Sequence, residues 1–275
     1  MPRAAVLGSP IEHSLSPVLH NAGYEAAGLA GWEYTRFETT AEGLPEFVEK
    51  RDLDFVGFSV TMPGKFAALR LADSVSDRAQ LIGSANTLVR RADGWFADNT
   101  DTEGVRGALA ELLGDEPVRH ALLIGAGGTA RPALWALAER GAANVTVLNR
   151  SDRSTELLPL AHGLGLELSF AGFDGDLSAL SRAANVIVST VPAAALEGYV
   201  FDIAHAPVLD VIYDPWPTPL TTCAAANGHK TIGGHVMLAY QAFSQFEQFT
   251  GVAAPREEML DALNEELRRR SENTH

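Results

Sequence analysis

Residues 122–131, Leu-Leu-Ile-Gly-Ala-Gly-Gly-Thr-Ala-Arg, carry an apolar segment into a glycine turn and on toward a helix. Gly125 suits the tight turn, Gly127 lets backbone amides approach a pyrophosphate, and Ala130 is small enough for helix and strand to pack closely. The helix start offers unpaired N–H groups and positive potential to phosphates. About 20 residues on, a carboxylate would bind the ribose 2′-hydroxyl of NAD. The chain instead has Asn149-Arg150-Ser151, followed by Arg153. A guanidinium holds a 2′-phosphate through charge-assisted hydrogen bonds, and a carboxylate would repel it. The pattern therefore predicts a site for NADP(H), with Asp152 the one residue that keeps NAD open.

Four earlier segments also carry polar groups in unusual places. In His13-Ser-Leu-Ser-Pro17, Ser16 reads as a helix N-cap with proline in the first helical position. Alternatively, the hydroxyls of Ser14 and Ser16 receive an anion at that helix start. In Ser59-Val-Thr-Met-Pro-Gly-Lys65, an apolar strand ends at Thr61 and Lys65 opens a helix, where a cation is disfavoured. The stretch is no phosphate-binding P-loop, because Gly57 and Gly64 are too far apart and Phe66 stands where Ser or Thr is required. In Gly83-Ser-Ala-Asn-Thr87, Asn86 reads as a turn residue entering a strand. In Asp98-Asn-Thr-Asp-Thr-Glu-Gly104, Thr100 and Glu103 form a potential capping box, with Asp101 acidic in the first helical turn.

Periodicity places the elements that must hold these groups. Strands are expected at 4–7, 32–37, 55–60 and 87–90, alternating with helices at 17–27, 43–50 and 64–72. A helix at 102–113 leads into strands near 120–124, 144–148, 185–190 and 207–212, with helices near 128–140, 153–164 and 177–183. Two helices follow, 234–249 and 255–270; the second shows Met259, Leu260, Leu263 and Leu267 on one face, and the tail 271–275 is expected to fray. This is α/β organisation.

The 275 residues include 46% hydrophobic and 20% charged side chains, enough to build a sizeable core. No apolar run approaches the ~20 residues that span a bilayer. The N-terminus reads as a strand and not a signal peptide. The formal net charge of −14 argues against nucleic acid or an anionic membrane as partner. A single cysteine, Cys223, forms no internal disulfide and suits a reducing cytoplasm. The histidines show no ligand spacing, so no metal is expected.

Taken together, the segments resemble the shikimate dehydrogenase family. The residues that carry the resemblance are Ser14-Leu-Ser16-Pro17, Val60-Thr61-Met-Pro63-Gly-Lys65, Ala85-Asn86-Thr87 and Asn99-Thr100-Asp101 with Gly104. They continue with Gly125 to Arg131, Asn149-Arg150-Ser151, Tyr213 ahead of Thr218-Pro219-Leu220, and Gly234-His-Val-Met237-Leu-Ala-Tyr-Gln241. They stand in the family's order along nearly the whole chain. The family often has Asn where this chain has Ser59, and Asn-x-Thr-Pro where it has Ser189-Thr-Val-Pro192; Gly64 replaces a bulkier residue before the lysine.

The resemblance implies two lobes. The first is an N-terminal α/β substrate domain, residues 1–101, with the C-terminal helices, 236–275, packing back on it. The second is a Rossmann-type nucleotide domain, residues 102–235, with a doubly wound parallel sheet. It implies NADPH-dependent reduction of 3-dehydroshikimate to shikimate, on the route to chorismate and the aromatic amino acids, by a monomer or homodimer. Ser14 and Ser16 are then expected to hold the ring carboxylate. Thr61, Asn86 and Gln241 bind ring oxygens, Tyr213 lines the pocket, and Lys65 and Asp101 meet at the reacting oxygen. A cationic Lys65 suits that task, since hydride addition to a ketone leaves an alkoxide that needs a proton, and a carboxylate beside it favours the charged form. The cofactor is expected on Gly125, Ala126, Gly127, Gly128, Thr129 and Ala130, on Asn149, Arg150, Ser151 and Arg153, and on Thr190, Val211, Gly234 and Met237, with Asp77 a further candidate. The alternatives are an NAD-dependent quinate/shikimate dehydrogenase and a catalytically silent NADPH-binding regulator.

Overall fold

A computed structural model describes residues 1–272. It divides the chain into two compact units, Met1–Thr100 with Gln241–His275, and Asp101–Tyr240. These divisions lie after Thr100 and after Tyr240, where the sequence expectation put the boundaries after 101 and 235.

The first unit begins β1 (Arg3–Gly8), α1 (Ser16–Ala26), β2 (Glu33–Glu38), α2 (Leu44–Glu49), β3 (Phe55–Val60) and α3 (Lys65–Leu71). It continues β4 (Ser74–Val75), α4 (Asp77–Ile82), β5 (Thr87–Arg91) and β6 (Gly94–Asp98). The second unit holds α5 (Asp101–Leu113), β7 (His120–Ile124), α6 (Ala130–Glu139), β8 (Asn144–Leu148), α7 (Ser154–Leu164) and β9 (Glu167–Ala171). There follow α8 (Leu177–Ala183), β10 (Val186–Ser189), α9 (Val200–Ile203), β11 (Val208–Asp210), α10 (Pro219–Ala226) and β12 (Thr231–Gly233). Helix α11 (Gly234–Thr250) runs through the second division, and α12 (Arg256–Glu272) returns to the first unit.

The sheet of the first unit has the order β2-β1-β3-β5-β6-β4. It is mixed, because β5 runs antiparallel to both β3 and β6. Its central strands are apolar on both faces: Ala4, Ala5, Leu7, Phe58 and Leu88 are completely buried, as strands covered on two sides require. The antiparallel turn-back has a functional result. Ser59 pairs with Thr87 and Thr87 with Asp98, so the end of β3, the start of β5 and the end of β6 fall in one row. The segments just beyond that row are those holding Thr61, Asn86 and Thr100.

Helix α12 packs along α1, with Met259 and Leu263 completely buried. Gly23 of α1 makes that approach possible: a Cβ there would lie 2.9 Å from Phe246 and 3.0 Å from Met259. The last helix runs further than expected, since Ser271 and Glu272 continue it; 273–275 lie outside the described residues.

In the second unit the sheet order is β12-β11-β10-β7-β8-β9, every pair parallel. Counted from β7, this is the 3-2-1-4-5-6 order of doubly wound dinucleotide folds, which bind ligand where the order reverses, outside the carboxyl ends of the first and fourth strands. Here those are the ends of β7 and β10.

Candidate active site

Helix α1 starts at Ser16 and not at Pro17, its N-cap is Leu15, and no side chain caps it. The N-cap reading of Ser16 is thereby corrected. Proline fits either of the first helical positions, so the start moves back one residue and the hydroxyl is released from capping duty. The Ser14 hydroxyl instead accepts from the Ser16 N–H at 3.4 Å. Two hydroxyls are thus grouped at a helix start in the first unit.

The end of β3 is held by the Thr61 N–H donating to Leu7 O at 2.8 Å. Gly8 makes the close approach possible, since a Cβ there would fall 2.3 Å from the Thr61 methyl. A tight turn closed by Gly64 N–H to Thr61 O, 2.9 Å, delivers Lys65 as the first residue of α3. The Lys65 carbonyl in turn accepts from Ala85 N–H at 3.0 Å, which ties the lysine's backbone to the Asn86 segment.

Asn86 is 3% exposed and strongly oriented. Its Oδ1 accepts from the Thr100 N–H at 2.7 Å, from Thr87 Oγ1 at 2.8 Å and from Thr100 Oγ1 at 3.1 Å. Its Nδ2 is thereby turned toward Gln241 Oε1, at 3.5 Å. The two residues are 155 positions apart. A turn residue would need none of this.

The peptide leading out of β6 is fixed by Asp98. Its carboxylate accepts from Arg78 Nε at 2.7 Å, Ser76 Oγ at 2.6 Å, Gln248 Nε2 at 2.8 Å and the Asn99 N–H at 2.8 Å. Burial alone would raise the Asp98 pKa, but Arg78 and the other donors outweigh it and hold the carboxyl down at about 2. Asp98 is therefore a charged anchor for the Asn99-Thr100 turn that precedes Asp101. Asp77 lies exposed in the first turn of the short helix α4, an acidic residue placed where the helix dipole favours it.

In the second unit the glycine turn leaves β7 at the switch point. Gly125 has φ +99°, and a Cβ on it would lie 2.5 Å from Thr190 Oγ1. Thr190 itself follows β10 and donates to Ile124 O at 2.9 Å. A Cβ on Gly127 or Gly128 would meet nothing within 4 Å. Thr129 makes no side-chain cap to α6, and Ala130 is completely buried. An open turn ahead of an uncapped helix is the geometry a pyrophosphate needs. Ala126 is half-buried beside it.

After β8, Asn149 Nδ2 donates to Ser151 O at 2.8 Å and holds a compact turn. Arg150 is exposed, and Arg153 pairs with Glu156. Asp152 accepts from the Ser154 N–H at 2.8 Å, and these Ser154 hydrogen bonds keep its pKa low. The carboxylate that had kept NAD open is thus occupied at the start of α7.

The loop after β11 carries Val211 and Tyr213. It is anchored by buried Asp210, which accepts from Thr218 Oγ1 at 2.8 Å and from the Ile212 N–H at 3.2 Å. Burial pushes the Asp210 pKa up, against these bonds. Gly234 lets the loop lie directly on α11: a Cβ there would fall 1.9 Å from Val211 O. Met237, three residues along α11, is 9% exposed and packs in the main apolar core of the unit.

Among the described residues no group of three or more His, Cys, Asp or Glu side chains is placed to hold a metal ion, and no helix is long and apolar enough to cross a membrane. Sequence reasoning missed Gln245 and Gln248. The available signal was their spacing with Gln241, at i, i+4 and i+7, which puts the three amides on one helix face with Ser244.

A parallel sheet in the doubly wound dinucleotide-binding order and, in the same chain, a mixed sheet with Thr61, Lys65 and Asn86 grouped at one end mark a two-unit protein of the dinucleotide-binding class. Comparison with known proteins narrows the class. Residues 6–88 match the model of the shikimate dehydrogenase substrate binding domain, and residues 234–263 that of the shikimate 5′-dehydrogenase C-terminal domain. The chain is 37% identical to the shikimate dehydrogenase (NADP(+)) of Geobacter metallireducens, over 94% of this chain and 96% of that one. It is 35% identical to the pentafunctional AROM polypeptide of Saccharomyces cerevisiae, over 95% of this chain, but it spans only 18% of that polypeptide's length. The crystal structure of Mycobacterium tuberculosis shikimate dehydrogenase superposes with a TM-score of 0.91 at 50% identity, covering 96% of this chain and 100% of that one. The chain belongs to the shikimate dehydrogenase family.

Proposed function

We propose that this chain is an NADP-dependent shikimate dehydrogenase that reversibly reduces 3-dehydroshikimate to shikimate, in the pathway to chorismate and the aromatic amino acids. The observation that carries the reading is the meeting of Asn86 with Gln241 at 3.5 Å, beside the turn that delivers Lys65. A bare nucleotide-binding regulator has no use for such an arrangement.

Ser14 and Ser16 hold the substrate carboxylate at the start of α1. Neutral hydroxyls suit an anionic ligand in a chain of net charge −14, where attraction must be local. Thr61, Asn86 and Gln241 take the ring hydroxyls, and Tyr213 lines the same pocket. NADPH, when bound, supplies the hydride. Lys65 steadies the negative charge that develops on the substrate oxygen and gives it a proton, with Asp101 as the second catalytic group.

The open turn Gly125–Ala130 holds the pyrophosphate, and Thr190, Val211, Gly234 and Met237 flank the cofactor. Asn149, Arg150, Ser151 and Arg153 take the adenosine end, with Arg150 on the 2′-phosphate. Asp77 is kept as a further cofactor residue. The enzyme acts in the cytoplasm as a monomer or homodimer, without nucleic acid or membrane as partner.

The test is the absorbance of NADPH formed from NADP⁺ with shikimate, run beside quinate and NAD⁺. Strong turnover with shikimate and NADP⁺ alone is expected. Preferred turnover of quinate with NAD⁺ would move the chain to the broader dehydrogenase class. NADPH binding without turnover of any pair would make it a regulator.

A further inference from the structure

Gln245 lies one turn beyond Gln241 on α11 and is completely buried. Its amide completes a chain of hydrogen bonds that ends on Asn86. Tyr34 Oη donates to Ser59 Oγ at 2.6 Å, and Ser59 Oγ donates to Gln245 Oε1 at 2.7 Å. On the other side, Gln245 Nε2 donates to Asn86 O at 3.1 Å and to Thr87 Oγ1 at 3.0 Å. The Thr87 hydroxyl then has its proton left for Asn86 Oδ1, at 2.8 Å.

The direction of this chain is forced. A flipped Gln245 amide would set its oxygen against the Asn86 carbonyl, two acceptors face to face with no proton between them. Ser59 must also donate to Gln245, whose Oε1 can only accept, and that leaves Ser59 to accept from Tyr34. With Gln245 fixed, the Thr87 proton is left for Asn86 Oδ1 at 2.8 Å, ahead of the longer contact to Thr100 Oγ1 at 3.2 Å; together with the Thr100 N–H this makes Asn86 Oδ1 the acceptor on this side and turns its Nδ2 the other way. Every member is buried, where an unmade hydrogen bond is costly and the arrangement is therefore strongly selected. Ser59, where the family often has Asn, is used here as a relay.

We infer that Gln245 is a positioning residue for the substrate, acting through Thr87 to hold the Asn86 amide with its donors toward the ring oxygens. The inference rests on the reading of Asn86 as a substrate ligand. Gln245 is completely buried, so it acts through its partners: on Asn86 by way of Thr87 and, at the far end of the network, on Ser16 by way of Ser59 and Tyr34.

The experiment uses the full chain. Gln245→Met keeps the side-chain length and removes both polar atoms. It is expected to raise KM for shikimate about 10-fold, the scale of one lost hydrogen bond, with a smaller change in kcat and no change in NADPH affinity measured by fluorescence titration. Thr87→Val should reproduce the effect, and Thr87→Ser, which keeps the hydroxyl, should not. Because Gln245→Met could unfold the chain, its NADPH titration doubles as a check of folding, and the Thr87 pair gives the same answer from a milder change. In an Asn86→Ala background the Gln245→Met effect on KM should vanish, since two changes acting through one group are not additive. The same KM increase in that background, or equal losses for shikimate and NADPH, would overturn the inference. An Asn86→Ala variant with unaltered KM would overturn the underlying reading of the site, and is recognisable as that separate failure.

Discussion

The backbone N–H of Thr100 donates to Asn86 Oδ1 at 2.7 Å, joining the turn after β6 to the residue before β5. Three protons converge on that one oxygen, so the amide cannot rotate without losing all of them. Asn86→Asp keeps the acceptor and removes the donors. Its second oxygen would face Gln241 Oε1 and the substrate hydroxyls. We expect kcat/KM for shikimate to fall roughly 10- to 100-fold, the scale of 1–3 kcal/mol for an unmet buried polar group, with NADPH affinity unchanged. Steady-state kinetics beside a fluorescence titration of NADPH checks this, and unchanged kcat/KM would remove Asn86 from the site.

Lys65 opens α3 behind Gly64, with no side-chain cap at that helix start. A cation there opposes the helix dipole, a cost that substrate chemistry explains. Lys65→Ala should lower kcat by ~10²–10⁴-fold with a smaller effect on KM, as loss of a general acid does. Turnover near the parent rate would take Lys65 out of the mechanism.

The elements legible in the sequence were those with apolar cores. β1, β3, β7, β8 and β10 are continuous buried runs, and their strand character is written in composition alone. The elements that escaped are short or half-exposed. β9 shows only intermediate and exposed residues at the sheet edge, so no alternation marks it. β4, α4, β6, α9, α10 and β12 span only two to eight residues, too few for a period to emerge.

The dinucleotide turn was legible because its glycines answer local backbone demands. The partners of Asn86 were not, since Thr100 stands 14 positions away and Gln241 155. Such pairings follow from the antiparallel return of β5, which no local pattern fixes. Gln241 was reached through family resemblance, and Gln245, outside any motif, was missed.

Arg150 is exposed beyond β8, while Arg153 is paired with Glu156 and Asp152 is engaged at the start of α7. Of the two arginines, Arg150 is the better placed to bind a 2′-phosphate. Arg150→Ala should raise KM for NADPH by about 10- to 100-fold, the range of a charge-assisted hydrogen bond, and leave KM for NADH nearly unchanged. Equal changes for the two cofactors would exclude the role.

His20 stacks on Tyr34, with ring centroids 4.1 Å apart and planes 5° from parallel, and Phe246 and Phe249 pack nearby. Its ring is completely buried, and burial pushes its pKa from 6.5 down to about 3, with the neighbouring Gln245 amide opposing. The folded chain therefore keeps His20 neutral where the unfolded chain takes up a proton. Its contribution to stability is whole above about pH 6.5 and is lost as the pH falls toward 3, at up to roughly 1.4 kcal/mol per pH unit for one proton. Asp98 also loses stability in acid, but in a lower window, between 3.8 and about 2. Urea denaturation between pH 6 and 4.5 stays above that window; His205 and His235 are also held below the ordinary imidazole value, so His20 is read from the difference between variant and parent. His20→Phe, which preserves the ring stack, should flatten the pH dependence of unfolding free energy by about one proton in that interval. The same slope in the variant and the parent would place the titration on another group.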